Sequence, residues 1–126
     1  MQKEIINTDK APAAIGSYSQ AVKLGNMVYT SGMIPVISET GEVVAGDAAV
    51  QAEQAIKNLG EVLQSAGTSF GKVVKTTVFI KDMKDFAAIN DVYKKFFSAN
   101  FPARSCVEVA RLPKDVLVEI ECIAYI

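Results

Sequence analysis

The stretch from Pro102 to Val109 holds the residue types best suited to bind a small acid. It reads as a β-strand, and because side chains alternate along a strand, Arg104 and Cys106 share one face. If Val107 and Val109 point into the core, Arg104 and Cys106 stand together on the opposite face. A guanidinium there could hold a carboxylate through two hydrogen bonds. An ordinary surface arginine beside a small buried cysteine explains the same pattern.

Two carboxylates, Glu119 and Glu121, lie among the apolar residues of the last predicted strand. A carboxylate in such surroundings is paired or has a shifted pKa, and it could then act as a general base toward water. An interface ion pair or a solvated edge position explains these residues equally well. Strand register cannot be read from the sequence, so the pattern does not decide whether Glu119 reaches Arg104.

Polar residues elsewhere allow both functional and structural interpretations. Asn90 falls on the apolar side of a predicted helix, where its amide either binds a neighbouring backbone group or reaches a cleft. Tyr18 and Ser31-Gly32 flank a predicted hairpin. Gly32 would allow a ligand to approach backbone N–H groups, or it is simply a turn glycine. Neither of the common phosphate-binding glycine motifs is present.

Histidine is absent, which excludes Ser-His-Asp and Cys-His catalysis and any zinc site built on imidazole. Proton transfer near neutral pH must therefore use a carboxylate, a thiol, a lysine or a tyrosine. Cys106 and Cys122 are far apart in sequence with no further cysteine, so we expect no metal. The 13 basic and 14 acidic residues nearly cancel, and this balance gives no reason to expect nucleic acid as a partner.

Length and composition predict a single domain over residues 1–126, half of whose residues are hydrophobic. We find no signal or transit peptide and no apolar run near the ~20 residues of a membrane span. With two cysteines expected to be free thiols, the predicted location is the cytoplasm, without membrane association.

Hydrophobic periodicity predicts an α+β sandwich whose two helices pack on one face of a mixed sheet. Gly25-Asn26 indicates a hairpin turn, and Asp47 and Gly67 are suited to the two ends of the first helix. The predicted strands are Lys3–Ile6, Tyr18–Leu24, Met27–Ser31, Val73–Ile80, Ala103–Ala110 and Val116–Ile126, and the predicted helices are Asp47–Ala66 and Asp85–Ser98.

The last predicted strand carries apolar residues on both faces, for example Ile120 and Cys122 on one and Ile123 and Tyr125 on the other. Two helices can cover only one face of the sheet. We therefore expect the other face to be covered by another chain in an oligomer.

Several segments together resemble the Rid family of reactive intermediate deaminases, also called YjgF-like, over essentially the whole chain. The most specific match is Pro102–Asp115 followed by Val118–Glu121, which is similar to the family's C-terminal signature. Ala11–Gly16, Tyr29–Gly32 and Val74–Ile80 also match. The resemblance implies a chorismate-mutase-like fold and a homotrimer whose sheets form a central barrel, with three clefts between subunits.

The resemblance also implies roles for individual residues. Arg104 matches the arginine that binds the substrate carboxylate, and Gly32 would donate its backbone N–H to the same group. Glu119 matches the acid that directs water. Cys106 would lie beside the substrate and orient it, since no histidine is present to activate its thiol. The remaining cleft-lining positions are Tyr18, Ser31 and Asn90.

The implied activity is hydrolysis of 2-enamino and 2-imino acids, such as 2-aminoacrylate and 2-aminocrotonate, to 2-oxo acids and ammonia without a cofactor. This reaction would remove reactive metabolites. A non-catalytic trimer that binds small acids in the same clefts is the alternative. Two departures from the family pattern, Ser17 in place of proline and Met33 in place of glutamine, affect the loop and the cleft shape rather than a reacting group.

Overall fold

The structure, a computed structural model, describes all residues from Met1 to Ile126 and contains one mixed sheet of six strands. Along the sheet the strands follow the order β1-β2-β3-β6-β4-β5, and only β4 and β5 are parallel. The predicted α+β class is therefore confirmed. The strands are β1 Glu4–Ile6, β2 Ala21–Leu24, β3 Met27–Thr30, β4 Val73–Ile80, β5 Ala103–Glu108 and β6 Val118–Tyr125.

Helix α1, Ala48–Ser65, begins and ends at the predicted signals. The Asp47 carboxylate accepts a hydrogen bond from the Val50 N–H at 3.1 Å. At the other end Gly67 has a positive φ of 86°, and the Thr68 N–H donates back to the Leu63 carbonyl at 3.0 Å, as in a Schellman motif. The apolar residues predicted for its inner face are all buried: Ala52, Ala55, Ile56, Leu59, Val62, Leu63 and Ala66.

Helix α2, Phe86–Phe96, is shorter than predicted at both ends but buries the expected face through Ile89 and Tyr93. The Phe70 ring joins the two helices: it packs edge-on against Phe97, and it also lies where a side chain at Gly60 would be. Gly60 therefore weakens the intrinsic propensity of α1 while allowing close aromatic packing.

The two faces of the sheet have different environments. The inner face lies under the helices, and β6 contributes Val118, Ile120, Cys122 and Ala124 to it, all buried. The outer face, which we define by Tyr29, Phe79, Val107, Glu119, Glu121, Ile123 and Tyr125, has no helix above it and is half-buried or exposed in the single chain. This division confirms the prediction that both helices lie on one face.

The condition that Val107 points into the core, on which one interpretation of β5 depended, is not met. Cys106 packs against the core, whereas Val107 is 44% exposed on the outer face. The cause is the register with β4: Cys106 pairs with Val78, whose side chain is buried under the helices, so Cys106 must face the same way. Cysteine and valine are both common in cores, and alternation alone did not decide between them.

The link from β5 to β6 does not form a hairpin, because β4 lies between these two strands in the sheet. It contains a short turn at Pro113–Asp115 in which Lys114 and Asp115 both have φ of 56°.

None of the helices has the length and apolar character needed to cross a lipid bilayer.

The buried side-chain amide of Asn58, on α1, holds the connection that follows β3 against the rest of the protein. The Asn58 side chain is 3% exposed, and its Nδ2 donates to the carbonyls of Ile34 and Val36, both at 2.9 Å. Its Oδ1 accepts from Gln54 at 2.9 Å. The connection that follows Gly32 is thereby fixed.

Replacing this amide should destabilise the fold measurably. Asn58→Leu removes one donor from the Ile34 carbonyl, which keeps the Val36 N–H, and leaves the Val36 carbonyl with none. We expect the free energy of unfolding to fall by about 1–3 kcal/mol in a urea titration. Glu53→Gln, an exposed change on the same helix, serves as the control and should alter it by less than about 0.5 kcal/mol. Equal values for the two variants would contradict this role for Asn58.

Candidate functional site

Glu119 lies on the outer face of the sheet, with its carboxylate directly against Gly32. A Cβ at Gly32 would overlap Oε2 of Glu119, so any other residue here would move the carboxylate from this position. The position of Gly32 is set on both sides. The Ser31 N–H donates to the Gln20 carbonyl at 2.9 Å, and Met33 and Ile120 exchange two backbone hydrogen bonds at 2.7 and 3.1 Å.

The environment of this carboxylate favours its protonated form. Burial raises the pKa of Glu119 above its ordinary value, and the nearby charge of Glu121 raises it further. Glu121 is two residues along β6 and therefore points to the same face. A carboxylate whose pKa is raised is a stronger base than an ordinary carboxylate, so it accepts a proton from water more readily.

A cavity of about 840 Å³ opens beside the two carboxylates. Tyr18, Ser31 and Gly32 line it together with Glu119 and Glu121, and Lys114 brings a positive charge to its wall. The structure thus brings four of the predicted site residues to one cavity: Tyr18, Ser31, Gly32 and Glu119. The Ser31 hydroxyl is already engaged, since it donates to the Ser19 carbonyl at 2.6 Å.

Arg104 forms a second cluster with α2. Its Nη1 donates to Oδ1 of Asn90 at 2.7 Å, and the guanidinium stacks over the rings of Tyr93 and Phe86, with its carbon 4.7 and 5.4 Å from the ring centroids. The Asn90 amide therefore contacts a side chain rather than a backbone group, and Asn90 and Arg104 both line a second, smaller pocket. Arg104 forms no ion pair within the chain, so its outer donors are available to an anion.

The aromatic support of Arg104 was not predicted, although Tyr93 lies one helical turn after Asn90 and that spacing could have shown it. The Tyr93 hydroxyl lies 2.8 Å from Oγ1 of Thr76. Burial raises the pKa of Tyr93, an effect that the hydrogen bond to Thr76 and the charge of Arg104 oppose. The ring is therefore a neutral platform that fixes the guanidinium plane.

Cys106 lies two residues beyond Arg104 on the same side of β5. Burial raises the pKa of its thiol, and the charge of Arg104 opposes this only in part. The side chain is therefore a neutral thiol near pH 7, a form that is a poor nucleophile. This is the state expected of a residue that packs rather than attacks.

The structure does not bring Arg104 and Glu119 together within one chain. Arg104 pairs with Thr76 of β4, which is buried under α2, whereas Glu119 pairs with Phe79 of the same strand. Thr76 and Phe79 are three residues apart, so their side chains point to opposite faces. The two clusters, which we call the Arg104 half-site and the Glu119 half-site, lie on opposite sides of the sheet.

No group of three or more cysteine, aspartate and glutamate side chains is placed to hold a metal ion.

The two half-sites are suited to different chemistry. The Arg104 half-site can bind a carboxylate, and the Glu119 half-site can exchange a proton with water next to the unpaired N–H of Gly32.

Comparison with known proteins identifies the family. A family model described as endoribonuclease L-PSP matches residues 8–126. The chain belongs to this family. A Rid-family protein of unknown function from Yersinia pestis has the same fold, with a TM-score of 0.96 at 47% identity over 99% of this chain and 100% of that one. The resemblance to the Rid family is therefore confirmed.

Two further relatives come from Escherichia coli. A protein of strain K12 named 2-iminobutanoate/2-iminopropanoate deaminase is 59% identical over 122 residues, which cover 94% of each chain. The crystal structure of TdcF with bound serine superposes with a TM-score of 0.93 at 54% identity, covering 98% of both chains.

The raised pKa of Glu119 gives a direct test of this half-site. In Glu121→Gln one negative charge is removed, so we expect the pKa of Glu119 to fall while staying above its ordinary value, because burial persists. Carbon-13 NMR titration of the side-chain carboxyl groups measures this pKa. Glu53→Gln, far from the cavity, should leave it unchanged. An unchanged or higher pKa in Glu121→Gln would show that the two carboxylates do not interact.

Proposed function

We propose that the protein is an imine deaminase that hydrolyses 2-imino and 2-enamino acids to 2-oxo acids and ammonia. The observation that carries the proposal is the pair of complementary half-sites. One holds an arginine with no acidic partner, and the other holds a carboxylate of raised pKa seated against Gly32. The deaminase name of the relative at 59% identity supports the same reaction.

The complete site forms between two copies of the chain. The half-sites lie on different surfaces, so the Arg104 half-site of one copy meets the Glu119 half-site of the next in a head-to-tail contact. Such contacts close into a ring, and we propose a homotrimer with three equivalent clefts. Its barrel would use the outer face, where Tyr29, Val107 and Tyr125 are each more than 40% exposed in the single chain.

Binding begins with the substrate carboxylate. Arg104 receives it through two parallel hydrogen bonds, in a guanidinium plane fixed by Asn90 and the Tyr93 ring. The N–H of Gly32 donates no hydrogen bond within the chain and adds one to the same carboxylate. These contacts hold C2 of the imine beside Glu119. Cys106 packs beside the substrate and orients it.

The reaction itself needs little beyond a placed water molecule, because imines already hydrolyse in water. Glu119 accepts a proton as the water oxygen bonds to C2 of the protonated imine, giving a carbinolamine. That proton then passes to the nitrogen, and the C–N bond breaks as Glu119 takes the hydroxyl proton, so that the C2 carbonyl forms and ammonia leaves. Glu119 finally releases this second proton to water. An enamine enters the same sequence after tautomerising to the imine. No cofactor takes part in any step.

The cleft is lined by Tyr18 and Ser31, with the Ser31 hydroxyl holding the backbone at Ser19 rather than the substrate. Both cysteines are free thiols, as suits a reducing compartment, and we therefore place the enzyme in the cytoplasm.

The test couples threonine dehydratase acting on threonine to formation of the 2-oxo acid, with semicarbazide as a competing trap for the imine. Wild type should accelerate 2-oxo acid formation over spontaneous hydrolysis. Arg104→Ala should lower kcat/KM by about 100-fold or more, because the carboxylate is no longer oriented. Glu119→Gln should lower kcat by about 100-fold or more, because the general base is lost.

Arg104→Lys is the matched control, since it keeps the charge but not the two-pronged geometry, and it should retain intermediate activity. A folded wild-type protein that gives no acceleration, yet binds 2-oxobutanoate, would contradict the enzyme proposal. That result would favour a protein that binds small acids in the same clefts.

A further inference from the structure

The segment Ala13–Tyr18, which connects β1 to β2, differs from every other wall of the cavity. None of its backbone or side-chain groups takes part in a hydrogen bond within the chain. Two of its side chains, Ile15 and Tyr18, line the cavity although they are 75% and 51% exposed. Apolar side chains that border a cavity and pack against little else are available to a ligand.

The N-terminal end of this segment is fixed by Gln20, whose side chain is 2% exposed. Its Nε2 donates to the carbonyl of Pro12 at 2.8 Å and to that of Thr8 at 3.0 Å, and its Oε1 accepts from the Thr8 N–H at 2.7 Å. One buried amide therefore holds the chain up to Pro12. Beyond Pro12 this restraint ends.

The C-terminal end is fixed by Ser31. Its hydroxyl donates to the Ser19 carbonyl at 2.6 Å, one residue after the segment ends. Ser31 also precedes Gly32, so the same short stretch that makes room for the Glu119 carboxylate holds the segment in place. The segment thus makes no hydrogen bonds of its own, but it is held at both ends. These two attachments fix its position relative to Glu119.

We propose that Ala13–Tyr18 is a flap that selects the side chain of the substrate, with Ile15 as the specificity-determining residue and Gln20 and Ser31 as positioning residues. The inference rests on the proposed function. If the carboxylate binds Arg104 and C2 lies beside Glu119, the substrate side chain must extend into the rest of the cavity. Ile15 offers it an apolar contact there, and the absence of hydrogen bonds inside the flap lets that contact adjust to side chains of different shape.

The flap is tested by comparing a short and a long substrate. An L-amino-acid oxidase supplies the imino acids of alanine and leucine, and semicarbazide competition gives kcat and KM for each. In Ile15→Ala we expect kcat/KM for the leucine-derived substrate to fall by about 10-fold through a higher KM. The methyl group of the alanine-derived substrate offers Ile15 little apolar contact, so kcat/KM for this substrate should change by less than about twofold.

Ile15 is exposed, so this variant should fold, and its mass in solution is measured alongside. Equal changes for the two substrates, or no change for either, would overturn the proposal. A changed oligomeric mass would also overturn it, because Ile15 would then serve assembly rather than selection.

The anchors are tested in the same assay. Ser31→Ala and Gln20→Met should lower the ratio of kcat/KM for the leucine-derived over the alanine-derived substrate by about threefold or more, since a displaced flap loses the longer contact. Thr68→Ala is the matched control: it removes a hydroxyl that donates to the Tyr125 carbonyl, also at 2.6 Å, and it should leave the ratio unchanged. If Ser31→Ala and Thr68→Ala give the same ratio of kcat/KM values, Ser31 does not hold the flap in position.

Failure of the flap and failure of the proposed function give different results. A wild type that accelerates both substrates, with Ile15→Ala behaving identically, contradicts the flap alone. A wild type that accelerates neither contradicts the deaminase. In that case calorimetric affinities for the 2-oxo acids of leucine and alanine decide the flap, and an unchanged affinity ratio in Ile15→Ala would overturn it.

Discussion

The pairing of β4 with both of its neighbours is the constraint on which the rest of the molecule depends. Side chains alternate along a strand, so partners of Thr76 and of Phe79 must lie on opposite sides of the sheet. Arg104 is paired with the first and Glu119 with the second. A shift of either register by one residue would move a half-site to the other face. The distance between the two groups within one chain is therefore a property of the fold.

Each half-site keeps its charged group at little cost in free energy while no substrate is bound. Arg104 rests on aromatic rings and an amide oxygen, so its charge keeps favourable contacts without a carboxylate partner. Glu119 is half-buried against Gly32, and its raised pKa reflects the loss of water around it. A substrate whose carboxylate binds the arginine and whose electrophilic carbon faces the acid uses both environments at once.

Much of this arrangement could be predicted from local patterns. The ends of α1 at Asp47 and Gly67, its apolar face and the hairpin at Gly25 follow from short-range chemistry that the sequence displays directly. Both helices cover one face of the sheet, as their apolar stripes require. The apolar residues on both sides of the last strand predict that another chain covers its second face, and this stays a prediction.

The remainder depends on pairings between distant segments. The insertion of β6 between β3 and β4 has no local signal, and without it neither the facing direction of Cys106 nor the separation of the half-sites can be derived. The resemblance to the Rid family predicts the site residues, but matched positions carry no information on the face of the sheet on which each one lies. The aromatic rings beneath Arg104 could not be predicted from the sequence, because their position depends on the packing of α2 against β4.

The central claim, that the site is shared between two copies, is tested most directly by mixing inactive variants. Arg104→Ala and Glu119→Gln each lack one half-site, and the two are refolded together so that their subunits exchange. Random mixing in a ring places an intact arginine against an intact glutamate at about a quarter of the clefts, so activity should return to about a quarter of the wild-type value. A mixture as inactive as its two components would show that both residues act within one chain, and would contradict the account.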